Sequence, residues 1–552
     1  MGSGRAALAL MVAILHSSGA AAAAAASAPA ATGTTYFLSP AGSDAHPGTT
    51  PDRPWRTFGR VLRAGTPLRP GDAIVLLDGT YTRGTTGLPD VDCRPGGTAP
   101  NGAPGSPIVL RAQNERRAHL AADGAGDAFQ MQGCAHWKVW GLYGSNADGT
   151  AAKPWDGHVF EVNGSRDVTL QRLLAVHPNR RCPNDTLPTC NAHAIRVERS
   201  RRVLVEDVEA YDFHRHGVSV SDSRRVTVRR CYVHPRGAPG GLSGSTALIF
   251  YGASDSIAEN CVAEHTLGFN VAGTQDAGGT AGGQRNRLLG LVTLDNDYGS
   301  TIRARNFGGP VHPVADTVVR DSVFARSAKV GVFSRGAAGT LLANVTILGT
   351  RGDGFVADED RGERAPCSAN LRGCSIVARK VLSLANRGKG AQIDEGVVSS
   401  WRIESSTLAG NEEGDFPTAE DPRDGGGHIR HSSSVGPQGV GLAAGECLLW
   451  RPAGKGAHIG ATVLYRYRDG TLTDEPLWDP ATGAFPCGAR VPGVNDVPGS
   501  SCFDVHQRLN VNVNGCAFPP GYAASSRTVM QSAPRRTPRA SRRHRRAARP
   551  SR

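Results

Sequence analysis

The sequence predicts an all-β fold: a right-handed parallel β-helix (solenoid) with an N-terminal helical cap and a disulfide-tied C-terminal extension. The first observation is a short sequence motif, called the phrase below, that recurs between about 172 and 411. It consists of a polar or small residue, an apolar–x–apolar triplet and a turn. The second is its spacing, because the shortest intervals are 23–25 residues and the longer ones resemble that unit plus a loop. The nine phrases begin at Arg172, Asp207, Cys231, Cys261, Gly290, Asp321, Asn344, Lys380 and Ser405.

These segments are short, rich in Val, Ile and Thr, and separated by Gly, Asn and Asp, which is typical of strands and turns rather than helices. One such unit cannot bury its apolar side alone, whereas stacked units share a continuous core. A β-sandwich is the alternative, but a sandwich has no reason to keep one phrase at a constant minimum period. The 70 glycines and 6% aromatic residues also suit many turns and small stacked side chains.

The predicted organisation has five parts. Residues 1–31 have the charged start, apolar centre and alanine-rich exit of a secretory signal peptide, and a membrane anchor is disfavoured because the apolar centre is short. Residues 32–130 form the cap and first turns, in which Thr57–Ala64 is predicted to be a short amphipathic helix that covers the open end. The β-helix occupies 131–415, a Cys-containing extension occupies 416–521, and 522–552 is predicted to be a disordered Arg-rich tail.

The twelve cysteines are even in number and agree with an oxidising compartment. Cys231 and Cys261 hold the same phrase position in successive turns, and neighbouring strands lie roughly 4.8 Å apart, within the range of a disulfide. Two stacked free thiols are the alternative for that pair. Three bridges are predicted: Cys182–Cys190, Cys367–Cys374 and Cys231–Cys261.

Charge gives little information about the folded part. The formal net charge is +13, but ten arginines lie in 522–552 and one in the leader. No nucleic-acid binding is therefore inferred, and no second stretch is long and apolar enough to span a membrane. We expect a monomer whose basic tail either contacts an anionic cell surface or is an inert extension.

The N-terminal region carries a series of motifs: Tyr36-x-x-Ser-Pro-x-Gly-x-Asp, then Pro-Gly-Thr, Pro54-Trp-x-Thr, Pro70-Gly-Asp and Gly79-x-Tyr. Together with the repeats, this pattern resembles the secreted bacterial β-helix proteins of the pectate-lyase-like superfamily over about residues 36–411. The resemblance implies a bacterial protein that is secreted, or located at the cell surface or in the periplasm, and that acts on a polysaccharide. The sequence departs from the family 9 pectate lyases, in which an Asp-Gly-Phe stretch leads to the catalytic lysine, because no lysine follows Asp353-Gly-Phe here.

Candidate site residues follow from stacking of the phrases, because equal offsets in successive turns become neighbours. Asp295 is then expected beside Arg326, and Tyr298 beside Lys329. The candidate catalytic residues are Lys329, Arg326 and Tyr298, and the candidate substrate-binding residues are Arg303, Arg305 and His216. The candidate ligands for Ca²⁺ are Asp295, Asn296 and Asp297, because hard oxygen donors suit that cation.

This mixture of charges suits a lyase that acts on an acidic, uronate-containing glycan. Such an enzyme needs a base for the proton next to the carboxylate and a cation that stabilises the enolate-like intermediate. Each residue also has an ordinary structural interpretation, since Asp-Asn-Asp is a common turn and Lys and Arg are usual on surfaces. Two alternatives therefore remain: a non-catalytic glycan-binding or cell-surface solenoid, and a glycoside hydrolase on the same fold.

Overall fold

The computed structural model describes residues 33–63, 65, 67–123, 126–146, 157–176, 192–213, 215–234, 245–273, 283–304, 314–358, 373–384, 386–394, 398–404, 406–409 and 411–414, and six short stretches between 427 and 512. Within these residues the chain is almost entirely β-strand, and the strands of the solenoid pair in parallel. The parallel β-helix that the repeats predict is therefore confirmed.

Most strands are short, as the phrase spacing requires. In chain order they are β1 Thr35–Leu38, β2 Ala73–Leu76, β3 Gly79–Thr82, β4 Asp90–Asp92, β5 Ile108–Ala112, β6 Ala118–Ala122, β7 Phe129–Gln132, β8 Ala135–Trp140, β9 Tyr143–Asn146, β10 Phe160–Asn163, β11 Arg166–Gln171, β12 Leu174–Val176, β13 His193–Glu198, β14 Arg201–Tyr211, β15 His216–Ser221, β16 Thr227–His234, β17 Thr246–Tyr251, β18 Ile257–Glu259, β19 Val262–Glu264, β20 Phe269–Ala272, β21 Arg287–Leu289, β22 Val292–Leu294, β23 Tyr298–Arg303, β24 Val318–Ala325, β25 Val330–Arg335, β26 Thr340–Leu348, β27 Phe355–Asp358, β28 Cys374–Leu384, β29 Ala391–Ile393, β30 Val398–Glu404, β31 Thr407–Ala409, β32 Gly427–Arg430, β33 Ser433–Val435, β34 Glu446–Pro452, β35 Thr462–Arg468, β36 Thr471–Leu472 and β37 Val511–Asn512.

Each turn of the solenoid, called a coil here, contributes strands to parallel sheets, of which there are three in the described residues. The first sheet runs β1-β2-β5-β8-β11-β14-β16-β18-β21-β24-β26-β28-β30-β32, and the second runs β3-β6-β9-β12-β14-β16-β19-β22-β24-β26-β28-β31-β33. Five long strands, β14, β16, β24, β26 and β28, bend through both of these sheets. The third sheet is separate and runs β4-β7-β10-β13-β15-β17-β20-β23-β25-β27-β29.

The bend between the first and second sheets explains the repeated phrase. One residue per coil takes a positive φ there, a conformation in which Gly, Asn and Asp are favoured. Several predicted phrase starts occupy this bend, with φ between 52° and 57°: Arg172, Asp207, Asp321, Asn344 and Lys380. In the two cysteine phrases, the corresponding residues are Arg230 and Asn260, one position before the predicted starts.

The core fills the space enclosed by the three sheets. Side chains that alternate inward are fully buried, and the largest of them include Trp137, Phe129, Phe160, Phe250 and Phe324. Phe129 and Phe160 lie on adjacent strands with ring centroids 6.0 Å apart. Burial of one such row in each coil makes the core continuous along the solenoid, which is why isolated repeats would not be stable.

The predicted helical cap is reduced to one turn of 3₁₀ helix, Phe58–Arg60. Phe58, Val61 and Leu62 are buried as expected, and the Phe58 ring lies 5.8 Å from that of Tyr81. The hydroxyl of Thr57 donates to Asp44 Oδ2 at 2.7 Å and makes no cap to the helix. That bond ties the segment to the preceding loop and removes the usual side-chain N-cap.

The predicted bridge between Cys231 and Cys261 is present, with a Cα–Cα distance of 4.5 Å. A further bridge joins Cys93 to Cys134, a pairing that the spacing did not predict. Cys374 is also disulfide-bonded, and its predicted partner Cys367 lies outside the described residues. The predicted pair Cys182–Cys190 lies entirely outside them.

At the C-terminal end, β32 and β33 extend the parallel ladders by one coil, to Val435, past the predicted end of the solenoid at 415. Within 446–512, β34 to β37 form a separate four-stranded antiparallel sheet. The predicted leader 1–31 and tail 522–552 lie outside the described residues. No helix in the described part of the chain is long and apolar enough to cross a membrane.

Candidate functional site

The strands of the third sheet are flanked in the chain by most of its extra length. The connections 147–156, 177–191 and 235–244 each lead into a strand of this sheet, and 274–282, 305–313 and 359–372 each follow one. Segments added to a rigid scaffold are where binding and catalytic groups concentrate. The third sheet is therefore the first place to look for a site.

A groove with a cavity volume of 190 Å³ runs along this face from β15 to β25. Imidazole, phenol and guanidinium groups line it, together with apolar side chains. The lining includes His216, Tyr251, Tyr298, Arg303, Phe333 and Arg335. We call this feature the sheet-3 groove. Such a mixture of cations and aromatic rings suits an anionic ligand with apolar surfaces.

His216 is the first residue of β15 and pairs with Thr246 across the ladder. Its side chain is buried, and Nδ1 has no hydrogen-bond partner among the described residues. Burial holds the pKa of the imidazole well below its ordinary value, and the positive charge of Arg215 lowers it further. His216 is therefore neutral at pH 7 and able to accept a proton.

Two further groups line the sheet-3 groove, Arg215 and Tyr251. Arg215 precedes His216 in the chain. Burial lowers the pKa of Arg215, and a charge interaction with Tyr251 opposes that effect. The groove thus contains a neutral base, a cation and a phenol, the groups that proton abstraction next to a carboxylate requires.

His216 is also the end of a column of three imidazoles on adjacent coils. The ring centroids of His158 and His193 are 4.9 Å apart, as are those of His193 and His216. Both nitrogens of His158 face N–H donors, from the His193 backbone at 3.1 Å and from Arg196 at 2.8 Å. Because a protonated ring would place like charges and donors together, the column favours neutral imidazoles.

A carboxyl pair lies beyond this column. Burial raises the pKa of Asp127, and the charge of Glu161 and a hydrogen bond to it raise the pKa further. Glu161 accepts a hydrogen bond from Gln130 Nε2 at 3.0 Å and lies 3.7 Å from Arg196 Nη1. Asp127 is therefore protonated at neutral pH.

This pair predicts a stabilising substitution. Asp127 takes up a proton on folding at neutral pH, so stability should decrease as pH rises above the ordinary carboxyl range. Asp127→Asn keeps an acceptor for the backbone N–H of His158, which donates to Asp127 Oδ1 at 2.7 Å, and removes the titration. We expect a higher Tm at pH 7 and a smaller difference near pH 4, measured by thermal unfolding followed by circular dichroism.

The matched control is Asp92→Asn. The Asp92 carboxylate accepts hydrogen bonds from Arg94, which hold its pKa below the ordinary value. Its replacement should therefore not raise Tm at pH 7. A lower Tm for Asp127→Asn at that pH would contradict the protonation of Asp127 in the folded state.

The predicted neighbours Asp295 and Arg326 do lie together, since Arg326 Nε donates to Asp295 Oδ1 at 2.8 Å. Lys329 Nζ lies 3.0 Å from Asp297 Oδ2 and 5.3 Å from the centre of the Tyr298 ring. The hydrogen bond to Asp297 raises the pKa of Lys329. A base needs the opposite shift, so this geometry does not support Lys329 or the paired Arg326 as the proton acceptor.

The three candidate Ca²⁺ ligands are engaged by different partners. Asp295 binds Arg326, and Asp297 binds Lys329. Asn296 is buried, and its Oδ1 accepts the backbone N–H of Thr266 at 2.6 Å. The donor set therefore does not fit a Ca²⁺ site. In the part of the chain that the structure describes, no group of three or more His, Cys, Asp or Glu side chains has a metal-binding arrangement.

Among the other candidates, His216, Tyr298 and Arg303 all line the sheet-3 groove, and Arg305 lies outside the described residues. The spacing did not identify Arg215, Tyr251 or the Asp127–Glu161 pair. A signal for the imidazole column was present, because His158, His193 and His216 are separated by 35 and 23 residues. These intervals equal the coil lengths from Arg172 to Asp207 and from Asp207 to Arg230.

No family model matches the sequence, and no curated protein matches it. Among solved structures, the chain is similar to the A-module of mannuronan C-5 epimerase AlgE6 from Azotobacter vinelandii, with 13% identity, a TM-score of 0.48, and coverage of 66% of this chain and 91% of that one. It is also similar to a mannuronic acid-specific polysaccharide family 6 lyase from human gut microbiota, with 13% identity, a TM-score of 0.41, and coverage of 73% and 91%. A third similar structure is pectate lyase Pel9A, with 14% identity, a TM-score of 0.33, and coverage of 71% and 78%. These likenesses are too distant to carry an argument, and the fold assignment rests on the strand pairing itself.

Proposed function

We propose that this protein is an exported polysaccharide lyase that cleaves an acidic, uronate-containing glycan in the sheet-3 groove. The observation that carries the proposal is that His216, Arg215 and Tyr251 all line that groove. The leader 1–31 would direct export from a bacterium, and the Arg-rich tail would contact an anionic surface. The folded part would act as a monomer.

The proposed reaction begins with His216, which accepts the proton from the carbon next to the uronate carboxylate. The electron pair of that C–H bond moves toward the carboxylate, and Arg215 stabilises the resulting enolate-like charge. The pair then forms the new C=C bond as the glycosidic C–O bond breaks. The departing oxygen takes the phenolic proton of Tyr251, and proton exchange with solvent restores both side chains.

Burial prepares the site for this chemistry. Because His216 is desolvated, its neutral form is present without competition from the protonated form. The guanidinium of Arg215 lies in the same partly enclosed space, where a charge interaction is stronger than in water. No step of this mechanism uses a metal ion, although the Ca²⁺ dependence predicted from the sequence is included in the test below.

The Asp127–Glu161 pair does not favour the hydrolase alternative. Glycoside hydrolases hold two carboxyl groups about 5–9.5 Å apart on opposite sides of the bond that breaks. Here a side-chain hydrogen bond joins the two groups, which leaves no room for a sugar ring between them. A non-catalytic glycan-binding solenoid would use the same groove without proton abstraction, and turnover distinguishes it.

The test is ultraviolet absorbance of the unsaturated product, followed with the full-length protein on a panel of polyuronates and on neutral polysaccharides. We expect a signal on at least one polyuronate and none on neutral polymers. Parallel assays with EDTA and with added Ca²⁺ test the metal dependence. A flat trace on every polyuronate would overturn the lyase. Reducing-sugar release would then indicate a hydrolase, and retention on immobilised glycan without release would indicate a binding protein.

A further inference from the structure

The end of the sheet-3 groove opposite His216 has an aromatic floor. Tyr298 at the start of β23 and Phe333 on β25 have ring centroids 5.9 Å apart and planes only 20° from parallel. Both rings are half-buried and line the groove. On the ladder, Phe333 lies between Thr301 of β23 and Val356 of β27. A flat apolar surface that solvent reaches indicates a binding role.

Two cations lie beside this floor. Arg303 and Arg335 are direct partners on the adjacent strands β23 and β25, so their backbones are about 4.8 Å apart. The Arg335 guanidinium lies 4.1 Å from the centre of the Phe333 ring, and its Nε lies 3.2 Å from Asp358 Oδ1. The two guanidinium groups bring positive charge beside the floor, which suits an anionic ligand.

The floor is distant from the proposed base. His216 is on β15, and β17 and β20 separate that strand from β23. Three strand spacings amount to roughly 14 Å. One sugar ring therefore cannot contact both His216 and the Tyr298–Phe333 floor, and the two ends of the groove must bind different sugars of one chain.

The backbone under the floor is closely packed. Gly299 follows Tyr298, and a Cβ at this position would overlap the carbonyl oxygen of Gly331 and the ring of Phe324. The close approach of β23 to β25 therefore requires glycine, and it sets the separation of the two rings. A surface built on paired strands is pre-organised, so little ordering free energy is lost on binding.

We propose that Tyr298, Phe333, Arg303 and Arg335 form a second sugar subsite that binds a uronate ring about three strand spacings from His216. This inference rests on the proposed function. The apolar face of the pyranose packs on the aromatic floor, and its carboxylate accepts hydrogen bonds from the arginines. Tyr298, a candidate catalytic residue from the sequence, is then a binding residue. The substrate is a polyuronate long enough to reach both ends of the groove.

The experiment measures binding separately from turnover. His216→Gln is the background, and isothermal titration calorimetry gives Kd for uronate oligosaccharides of increasing length. On this background, Phe333→Leu and Arg335→Gln should each raise Kd at least tenfold, but only for oligosaccharides that reach the second subsite. Arg379→Gln is the matched control, because Arg379 forms an exposed pair with Glu404 on the first sheet and should leave Kd unchanged.

Each result has a distinct meaning. An unchanged Kd for long oligosaccharides, or an equal loss for short and long ones, overturns the second subsite. Length-dependent loss of binding in a protein whose wild type has no lyase activity would support the subsite and reject the lyase. Absence of binding to every uronate oligosaccharide would reject both proposals.

Discussion

Replacement of His216 with glutamine is expected to lower kcat/KM on the cleaved polyuronate by about 10²- to 10⁴-fold, the usual contribution of a general base. The amide has similar size and can still form hydrogen bonds, but it cannot accept the substrate proton. His216 is buried in a groove that the neighbouring coils build, so the variant should fold. Initial rates from ultraviolet absorbance measure the loss, and circular dichroism establishes that the fold is retained.

The pH profile separates this base from the one predicted from the sequence. The pKa of His216 is well below its ordinary value, so the base form persists as pH falls and kcat/KM should decrease only at pH values well below the ordinary imidazole pKa of about 6.5. Lys329, whose pKa is raised, would instead require alkaline pH. A rate that rises steadily above pH 9 would contradict the assignment of His216.

The matched control is His46→Gln. His46 lies before the first complete coil, where its Nδ1 contacts the carbonyl oxygen of Pro54 at 3.1 Å. Its replacement removes an imidazole and leaves the sheet-3 groove intact. Full activity in this variant together with loss of activity in His216→Gln would localise the effect. Similar losses in both variants would show that histidine substitutions act through folding.

Gly331→Ala is expected to lower the free energy of unfolding by about 1–3 kcal/mol. The added Cβ would lie 2.5 Å from the carbonyl oxygen of Gly354 and would overlap the side chain of Ile347. A backbone carbonyl that pairs in the ladder cannot move away without breaking strand contacts. Urea unfolding followed by tryptophan fluorescence measures the change.

Gly84→Ala is the control for this substitution. Gly84 is exposed, and a Cβ there would have no neighbour within 4 Å. A surface change of this kind should alter the free energy of unfolding by less than about 0.5 kcal/mol. Equal stability of Gly331→Ala and Gly84→Ala would show that the coils can separate locally, and the floor of the groove would then not be rigid.

The repeat spacing predicted the fold because a β-helix records its coil length directly in the sequence. Each coil must place one residue at the bend between the first two sheets, and Asp207, Asp321 and Asn344 occupy that bend with positive φ. The same reasoning placed Cys231 next to Cys261 and Asp295 next to Arg326. Contacts between successive coils can thus be predicted from the repeat spacing alone.

The local sequence pattern predicted secondary structure less well where a tertiary contact competed with it. The amphipathic pattern at 57–64 predicted a helix, but the Thr57 hydroxyl bonds to Asp44 instead of capping it. The cysteine phrases were displaced by one residue, because their bends are at Arg230 and Asn260. A shift of one residue exchanges inward and outward positions in a strand, which is enough to misassign a ladder.

The parallel β-helix, its coil length and the pairing of neighbouring coils follow from periodicity, so they can be predicted from the amino-acid sequence. Which polar groups lose contact with water depends on the folded structure. His216, Arg215 and Tyr251 come from two coils and line one groove, and burial is what keeps His216 in its neutral form. Desolvation depends on atoms that are distant in the chain, so no local pattern records it.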